Sequence, residues 1–169
     1  MPSMTKGILR EVAEVLASPH DLQSTLQTIM EKMAEYYHPD NWSLLRVDEE
    51  KNELYFALAI GDAGKALKNF GLKVGEGIAG WVARHGECVI VPDVTIDPRF
   101  AKRLNEIRRR GTRSIICVPL RSRRRVLGLI QLVNVKWKAF GTQELFCIRA
   151  LCDYAAIAIE GARCEKTIH

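Results

Sequence analysis

The sequence lacks the marks of membrane and secreted proteins. None of its apolar runs reaches the roughly eighteen residues that a membrane-spanning helix needs. The first residues, Met1 to Lys6, do not combine a basic segment with an apolar one, so no secretory signal is visible. We therefore expect a cytoplasmic protein that does not enter a membrane. Its 169 residues fit one domain spanning 1–169, and its 47% of hydrophobic residues is enough to build a core.

The sequence also lacks the residue patterns of disulfide, metal and haem sites. Its five cysteines are an odd number and include no C-x-x-C pair, which argues against a disulfide framework and against a zinc site. Cys88 and Cys117 lie in apolar strand patterns, where a cysteine usually behaves as a small buried hydrophobe. The central histidines, His38 and His85, have no partner at a spacing typical of haem or bilin attachment. The sequence therefore identifies no cofactor.

The net charge of +5 is carried largely by arginine. A basic patch can attract nucleic acid or a phosphorylated ligand. However, residues 121–125 lie between two predicted strands, where a charged hairpin tip is ordinary, and no aromatic residues interleave with them as stacking platforms. The pattern favours a solvated surface over a nucleic-acid interface. The clustered arginines are Arg108, Arg109, Arg110, Arg113, Arg121, Arg123, Arg124 and Arg125.

Apolar residues at helical spacing predict a helix near each end of the chain. The first contains Ile8 to Leu16, and a second follows with Asp21 as its N-cap and ends before His38. A long helix begins at Gly141 and is still helical in pattern at the last residue, His169. The middle of the chain alternates short strands with short helices. The predicted middle elements are a hairpin of Trp42–Val47 and Leu54–Ile60, a loop with a helical turn at Gly61–Lys73, a helix at Ile78–His85, a strand at Cys88–Val91, a polar helix at Ala101–Arg110, and a hairpin of Ser114–Leu120 and Val126–Val135.

This order predicts an α+β domain with an antiparallel sheet of about five strands. The terminal helices are expected on one face, and short helices and loops on the other, where a cleft can form. In the strand Leu54–Ile60, alternation predicts that Leu54, Phe56, Leu58 and Ile60 face one way. The near-continuous apolar runs of the second hairpin are typical of strands that are covered on both faces.

Four short motifs in the middle of the chain, each containing glycine or proline, resemble those of the GAF domain, a small-molecule sensing module of signalling proteins. They are Gly75-Glu76-Gly77-Ile78-Ala79-Gly80-Trp81-Val82, Val91-Pro92-Asp93-Val94, Asp97-Pro98-Arg99-Phe100 and Thr112-Arg113-Ser114-Ile115-Ile116-Cys117-Val118-Pro119-Leu120. The resemblance covers essentially the whole chain. The match is close to bacterial examples that lie upstream of diguanylate cyclase, histidine kinase or transcription-activator domains. The combination is specific for the fold and not for a ligand.

Individual residues argue against membership of the chain in two specialised branches of the GAF family. The branch that reduces free methionine sulfoxide uses a cysteine after the glycine-rich turn, a cysteine in the lid loop and acidic residues on the last strand. Here Ala79 and Asn134 occupy two of those places, and no cysteine lies between Val91 and Gly111. The motif of the branch that binds cyclic nucleotides is matched only in part. Val135 separates Asn134 from Lys136, and Leu145 stands where that motif has its second acidic residue. The partial match consists of Asn134, Lys136, Phe140 and Glu144, in which a Lys136–Glu144 pair would be a structural clamp.

The resemblance therefore implies a non-enzymatic sensory and regulatory domain with an unidentified small-molecule ligand. The ligand would lie between the sheet and a lid formed by the segments Gly61–His85 and Pro92–Arg110. Strand alternation leaves open which side chains of the sheet face inward. The residues expected to line the pocket are Ser43 or Trp42, Phe56, Trp81, Val91, Asp93, Phe100, Ser114 and Cys117.

Two alternatives remain beside sensing. One is a ligand-free module that only dimerises through helices at Ile8–Leu16 and Leu145–Ala162, and dimerisation is also compatible with sensing. The other is a free methionine sulfoxide reductase.

Residues 160–169 resemble the start of a linker helix to an output domain. Their sequence is similar to linkers that lead to a GGDEF diguanylate cyclase domain, which is therefore the expected output domain.

Overall fold

The computed structural model of the protein describes residues 2–17, 21–61, 70–100, 111–123, 125–135 and 141–168. These residues form four helices, six strands and one 3-10 turn at Val94–Ile96. The helices are α1 Pro2–Ala17, α2 Leu22–Tyr37, α3 Gly77–His85 and α4 Thr142–Ile168. The strands are β1 Asn41–Asp48, β2 Glu53–Ile60, β3 Gly71–Lys73, β4 Val89–Val91, β5 Ile115–Arg121 and β6 Val126–Val133. None of the described helices is both long and apolar enough to cross a membrane.

The strands form one antiparallel sheet in the order β3-β2-β1-β6-β5-β4. The sheet therefore has six strands where the sequence predicted about five. The extra strand is β3, which lies at the end of the segment predicted as a loop and pairs Leu72 with Leu54. It has only three residues, of which only Leu72 is buried, so it is too short to show alternation.

The terminal helices α1, α2 and α4 cover one face of the sheet, as predicted; we call it the helix face. α1 packs against both α2 and α4, and α4 lies across β5. The buried core beneath the helices includes Met30, Met33, Leu44, Ile130 and Leu151, all fully or almost fully inaccessible to solvent. Helices near the two ends of the described chain therefore share one core.

The opposite face is covered by α3 and by the segments around β3 and β4, again as predicted; we call it the lid face. Its core brings Leu45, Leu54 and Leu129 of the sheet against Ile78 and Val82 of α3. The predicted helix at Ala101–Arg110 and the segment that contains Lys136 and Phe140 lie outside the described residues.

A β-bulge in β2 makes one prediction about its side chains wrong. Phe56 pairs with Leu45, whereas Leu58 pairs with Leu44, so one extra residue, Ala57, lies between two consecutive partners. Leu54 and Phe56 consequently pack on the lid face, but Leu58 and Ile60 pack on the helix face. A bulge reverses the alternation beyond it, and the residue pattern of β2 gives no sign of one.

Both ends of α2 are capped. Asp21 is the N-cap, as predicted, and its carboxylate accepts a hydrogen bond from the backbone N–H of Ser24 at 2.8 Å. His38 ends the helix in the left-handed conformation with a φ of 47°. The hydroxyl of Tyr37 donates to the carbonyl of Glu144 at 3.1 Å, and burial raises the pKa of Tyr37 far above its usual range. The neutral phenol therefore joins the end of α2 to the start of α4.

Candidate functional site

Three polar side chains lie next to one another on the lid face of the three central strands. Gln131 of β6 pairs with Ser43 of β1 on one side and with Cys117 of β5 on the other. The neighbours of Gln131 along β6 establish its direction, because Leu129 and Val133 belong to the lid-face core and Ile130 and Leu132 to the helix-face core. We call Ser43, Gln131 and Cys117 the polar row.

The polar row is buried. The exposed fraction is 3% for Ser43, 2% for Gln131 and 0% for Cys117. Within the part of the chain that the structure describes, neither the Ser43 hydroxyl nor the Gln131 side-chain amide makes a hydrogen bond. Neither polar group is fully inaccessible, so each keeps slight contact with solvent. Two adjacent and nearly buried polar groups without a protein partner are still unusual, because such groups almost always have one.

A stack of three side chains lies on the lid side of the same sheet. The ring of Trp81, on α3, stacks on the imidazole of His85 with centroids 4.1 Å apart, and the guanidinium carbon of Arg99 lies 4.8 Å from the Trp81 ring centroid. The Nδ1 atom of His85 is 2.9 Å from the carbonyl oxygen of Trp81. Stacking and a cation–π contact therefore hold the loop that carries Arg99 against α3.

Arg99 is also fixed by an ion pair with Asp97. Its Nε donates to one carboxylate oxygen at 2.9 Å and its Nη2 to the other at 2.6 Å. The hydrogen bond from Arg99 lowers the pKa of Asp97, and the same bond raises the pKa of Arg99, with a further contribution from the charge of Asp97. The Arg99 side chain is 30% exposed, and the adjacent Phe100 packs on the lid-face core that includes Cys117.

Most of the residues predicted to line a pocket lie on the lid face. Phe56, Val91 and Cys117 are buried in the lid-face core, and Trp81 and Phe100 are half-buried against it. The open choice between Ser43 and Trp42 is decided by the strand: Ser43 points to the lid face, and Trp42 packs on the helix face. No ligand contact is established for any of them.

The other two predicted residues have local backbone roles. The carboxylate of Asp93 is exposed and accepts hydrogen bonds from the N–H and hydroxyl of Thr95, which lower its pKa. Ser114 is buried where β5 begins; its N–H donates to the Asn134 side chain, and its carbonyl accepts from the Asn134 N–H at 2.9 Å. Asp93 shapes the loop, and Ser114 joins the ends of two neighbouring strands.

Asn134 has a structural role where the sulfoxide-reducing branch has an acid. Its backbone has a φ of 56°, a left-handed conformation that asparagine tolerates better than most residues. Its side-chain oxygen accepts from the N–H groups of Arg113 and Ser114, and its Nδ2 donates to Asp40 at 2.9 Å. The side chain is therefore engaged in holding three segments together.

Two residues of this site were missed by the sequence reasoning. Gln131 is the one polar residue inside the apolar run of β6, so a polar residue on a strand covered on both faces was the available signal. Arg99 was named only as part of the motif Asp97-Pro98-Arg99-Phe100, and its contact with Trp81 depends on tertiary structure. Among the described residues, no group of three histidine, cysteine or acidic side chains could hold a metal ion.

The arginine cluster includes one residue that belongs to an ion-pair network. Arg125, in the β5–β6 turn, lies 2.7 Å from Glu49 of the β1–β2 turn and 3.5 Å from Glu160 of α4. Arg163 of α4 approaches the same two carboxylates at 4.0 and 3.9 Å. The network joins two turns of the sheet to the second half of α4.

Comparison with known proteins agrees with this architecture. The family model described as GAF domain matches residues 21–159. A probable 3',5'-cyclic phosphodiesterase, pde-5, from Caenorhabditis elegans is 26% identical over 156 residues, which cover 85% of this chain and 21% of that protein. The chain thus spans about a fifth of the length of this relative.

Solved structures share the fold at low identity. The GAF domain of a phosphoenolpyruvate-protein phosphotransferase from Coxiella burnetii has a TM-score of 0.84 and 22% identity, covering 96% of each chain. A free methionine-R-sulfoxide reductase from Neisseria meningitidis, solved with its substrate, has a TM-score of 0.79 and 22% identity, covering 94% of this chain and 90% of that one. The family match spans most of the sequence and confirms the resemblance of its motifs: the chain belongs to the GAF domain family.

Proposed function

We propose that this GAF domain is a sensory module that binds a small molecule between the lid and the sheet, in contact with the polar row. The observation that carries the proposal is the pair of buried and unpartnered polar side chains, Ser43 and Gln131. A ligand that hydrogen-bonds to both groups would supply the partners that the described residues do not, which favours a polar molecule.

Binding would change the domain by shifting its population of conformations. A ligand can favour one arrangement of the lid only if it binds that arrangement better than another. The stack of Arg99 on Trp81 is a contact that such a ligand would strengthen or release, because it joins the loop to α3 on the lid face.

The output would pass along α4. This helix lies across β5, next to the strand that carries Gln131, and its Glu160 and Arg163 contact the turns of both hairpins through Glu49 and Arg125. We propose that residues 160–169 begin a linker to an output domain, for which a diguanylate cyclase is our candidate. The linker would then start within the part of α4 that is docked on the sheet.

We also propose that the domain forms a homodimer through its terminal helices. Phe146 and Ile157 of α4 are 64% and 62% exposed, although both are large and apolar. They are eleven positions apart, which places them roughly 20° apart around the helix. A second copy of the helix would bury this stripe, so ligand-free dimerisation is the second candidate function.

We propose a non-enzymatic role in the cytoplasm. Burial raises the pKa of the Cys88, Cys147 and Cys152 thiols, which keeps them in the unreactive protonated form at neutral pH. The alternative of a sulfoxide reductase is supported by the fold alone. Its chemistry would need other residues than Ala79 and Asn134 at those positions.

A thermal-shift screen with matched variants tests the sensing proposal. Nucleotides, amino acids and oxo-acids are tested on the wild type and on Gln131→Leu, because a ligand that binds only the folded state raises the melting temperature. We expect Gln131→Leu to keep or raise the melting temperature of the free domain, since it removes an unpartnered polar group, and to lose the ligand-dependent rise.

Thr25→Val is the control for changing a buried polar residue elsewhere. Thr25 is 5% exposed, and its hydroxyl donates to the carbonyl of Asp21 at 3.0 Å. This variant should lower the melting temperature of the free domain and keep the ligand-dependent rise. If no compound of any class stabilises the wild type, the dimerisation-only function is favoured instead.

A further inference from the structure

Resting on the proposed sensing function, we propose that the ligand carries a carboxylate, which the unoccupied edge of the Arg99 guanidinium binds in a bidentate fashion. The polar row would then bind the uncharged polar part of the same molecule. The argument depends on how Arg99 is held, where it lies and which anion its remaining donors fit.

Asp97 uses only one edge of the guanidinium. The Nε and one Nη2 hydrogen donate to its two carboxylate oxygens. No described residue accepts a hydrogen bond from Nη1. A guanidinium has five N–H donors in a fixed plane, so Nη1 and the second hydrogen of Nη2 form a second edge with two parallel donors.

The free edge is held in place before any ligand arrives. The backbone N–H of Arg99 donates to the Asp97 carboxylate at 2.8 Å, which fixes the two residues relative to each other. The guanidinium lies against the Trp81 ring, and only 10% of the Asp97 side chain is exposed. A fixed receptor loses little side-chain entropy when it binds, which favours affinity.

Arg99 lies on the solvent side of the lid face, next to Phe100, which packs against the core that includes Cys117. The Arg99 side chain is partly exposed, whereas Cys117 is fully buried and pairs across the strands with Gln131. An acid group at one end of the ligand can stay at Arg99 while the rest contacts the row.

The charge of the site favours a carboxylate over a phosphate. The Asp97–Arg99 pair is neutral, so a carboxylate brings the site to a charge of −1 and a phosphate to nearly −2. Two parallel N–H donors match the two oxygens of a carboxylate in geometry. The inferred ligand class is therefore a small carboxylic acid with a second polar group.

Matched pairs of acids and amides test the inference. Pyruvate and pyruvamide, and glutarate and glutaramide, are titrated into the ¹⁵N-labelled domain, and the Trp81 indole and Arg99 Nε–H signals are followed by NMR. We expect the acids to move both signals and to bind at least about ten-fold tighter than the amides, because only the acids form charge-assisted bonds.

Arg99→Lys should reduce acid affinity by about ten-fold or more, since lysine offers no planar pair of donors. Arg10→Lys is the matched control, because Arg10 also pairs with a carboxylate, that of Glu14 at 3.2 Å, but lies on α1. The wild-type titration needs no variant, so the inference stays testable if Arg99→Lys fails to fold.

The outcomes separate this inference from the proposed function. The carboxylate inference is supported if acids, but not amides, shift the NMR signals, and if these shifts are lost in Arg99→Lys and kept in Arg10→Lys. A neutral ligand whose binding depends on Gln131, with no preference for acids, overturns the carboxylate inference and leaves sensing intact. The absence of binding by acids, amides and every class in the thermal screen overturns both.

Discussion

The side-chain oxygen of Asn134 accepts a hydrogen bond from the backbone N–H of Arg113 at 2.8 Å. The same oxygen accepts from Ser114, and the side-chain nitrogen donates to Asp40, so one amide joins the end of β6 to the starts of β5 and β1. A polar residue at a position where two branches of the family have functional residues is easily taken for a ligand contact. Here its bonds to the backbone and its φ of 56° explain its presence.

Replacing Asn134 with alanine should lower the free energy of unfolding by about 1–3 kcal/mol, because it leaves backbone donors without a partner. Urea denaturation measures the change. Asn52→Ala is the control, since Asn52 has a φ of 54° in the exposed β1–β2 turn and isolates the cost of a left-handed conformation. Equal losses in the two variants would show that the Asn134 side-chain bonds contribute nothing.

Gly80 of α3 allows a close contact between the helix and the turn before it. A Cβ atom at this position would lie 2.7 Å from the carbonyl oxygen of Lys73 and 2.9 Å from the backbone of Gly75. Gly80→Ala should therefore lower the melting temperature, whereas Gly7→Ala, in α1 with open space around the added methyl group, should raise it. Differential scanning calorimetry compares the two. A Gly80→Ala domain as stable as the wild type would refute the close contact.

The Asp97–Arg99 pair should make stability depend on pH in one direction. The hydrogen bond from Arg99 lowers the pKa of Asp97 in the folded state. The stabilisation that the pair provides is therefore fully present above the unfolded-state pKa of about 3.9, and it is lost as the pH falls through the folded-state pKa. At neutral pH, Asp97→Asn should cost about 1 kcal/mol, and the difference from wild type should shrink below about pH 4.

The comparison with Asp97→Asn is needed because Asp21 and Asp93 also have lowered pKa values and contribute to the total pH dependence in the same direction. Urea denaturation of both proteins from pH 7 to pH 3 gives the difference directly. A difference that stays constant across this range would contradict the ion pair.

The exposed stripe on α4 should control association. Ile157→Glu places a charge in the proposed dimer interface and should shift the protein to monomer in analytical ultracentrifugation. Ile96→Glu is the matched control, because Ile96 is 81% exposed and lies in the 3-10 turn on the lid side of the sheet. A wild type that is monomeric at all concentrations, or an Ile157→Glu variant that stays dimeric, would exclude this interface.

The long periodic elements could be predicted from the sequence, and the short irregular ones could not. The N-cap Asp21 and the apolar runs of β5 and β6 are local signals, so their elements were predicted within a few residues. β3 contains three residues, and the bulge at Ala57 depends on pairing with β1, so neither leaves a local pattern.

Only the residues of the site that lie within the family motifs could be predicted from the sequence. Trp81, Phe100 and Cys117 lie in those motifs and pack on the lid face. Gln131 and Arg99 depend on tertiary relations: the first on the register that places it between Ser43 and Cys117, the second on its contact with Trp81. Residue spacing within one segment contains no information about either.

The central claim is that Ser43 and Gln131 are polar partners of a bound small molecule. Native mass spectrometry of the purified domain, as wild type and Gln131→Leu, measures this directly after incubation with the compounds that stabilise it. We predict a wild-type protomer with the added mass of one small molecule and a Gln131→Leu protomer without it. Equal occupancy in the two proteins, or no added mass on the wild type with any compound, would contradict the account.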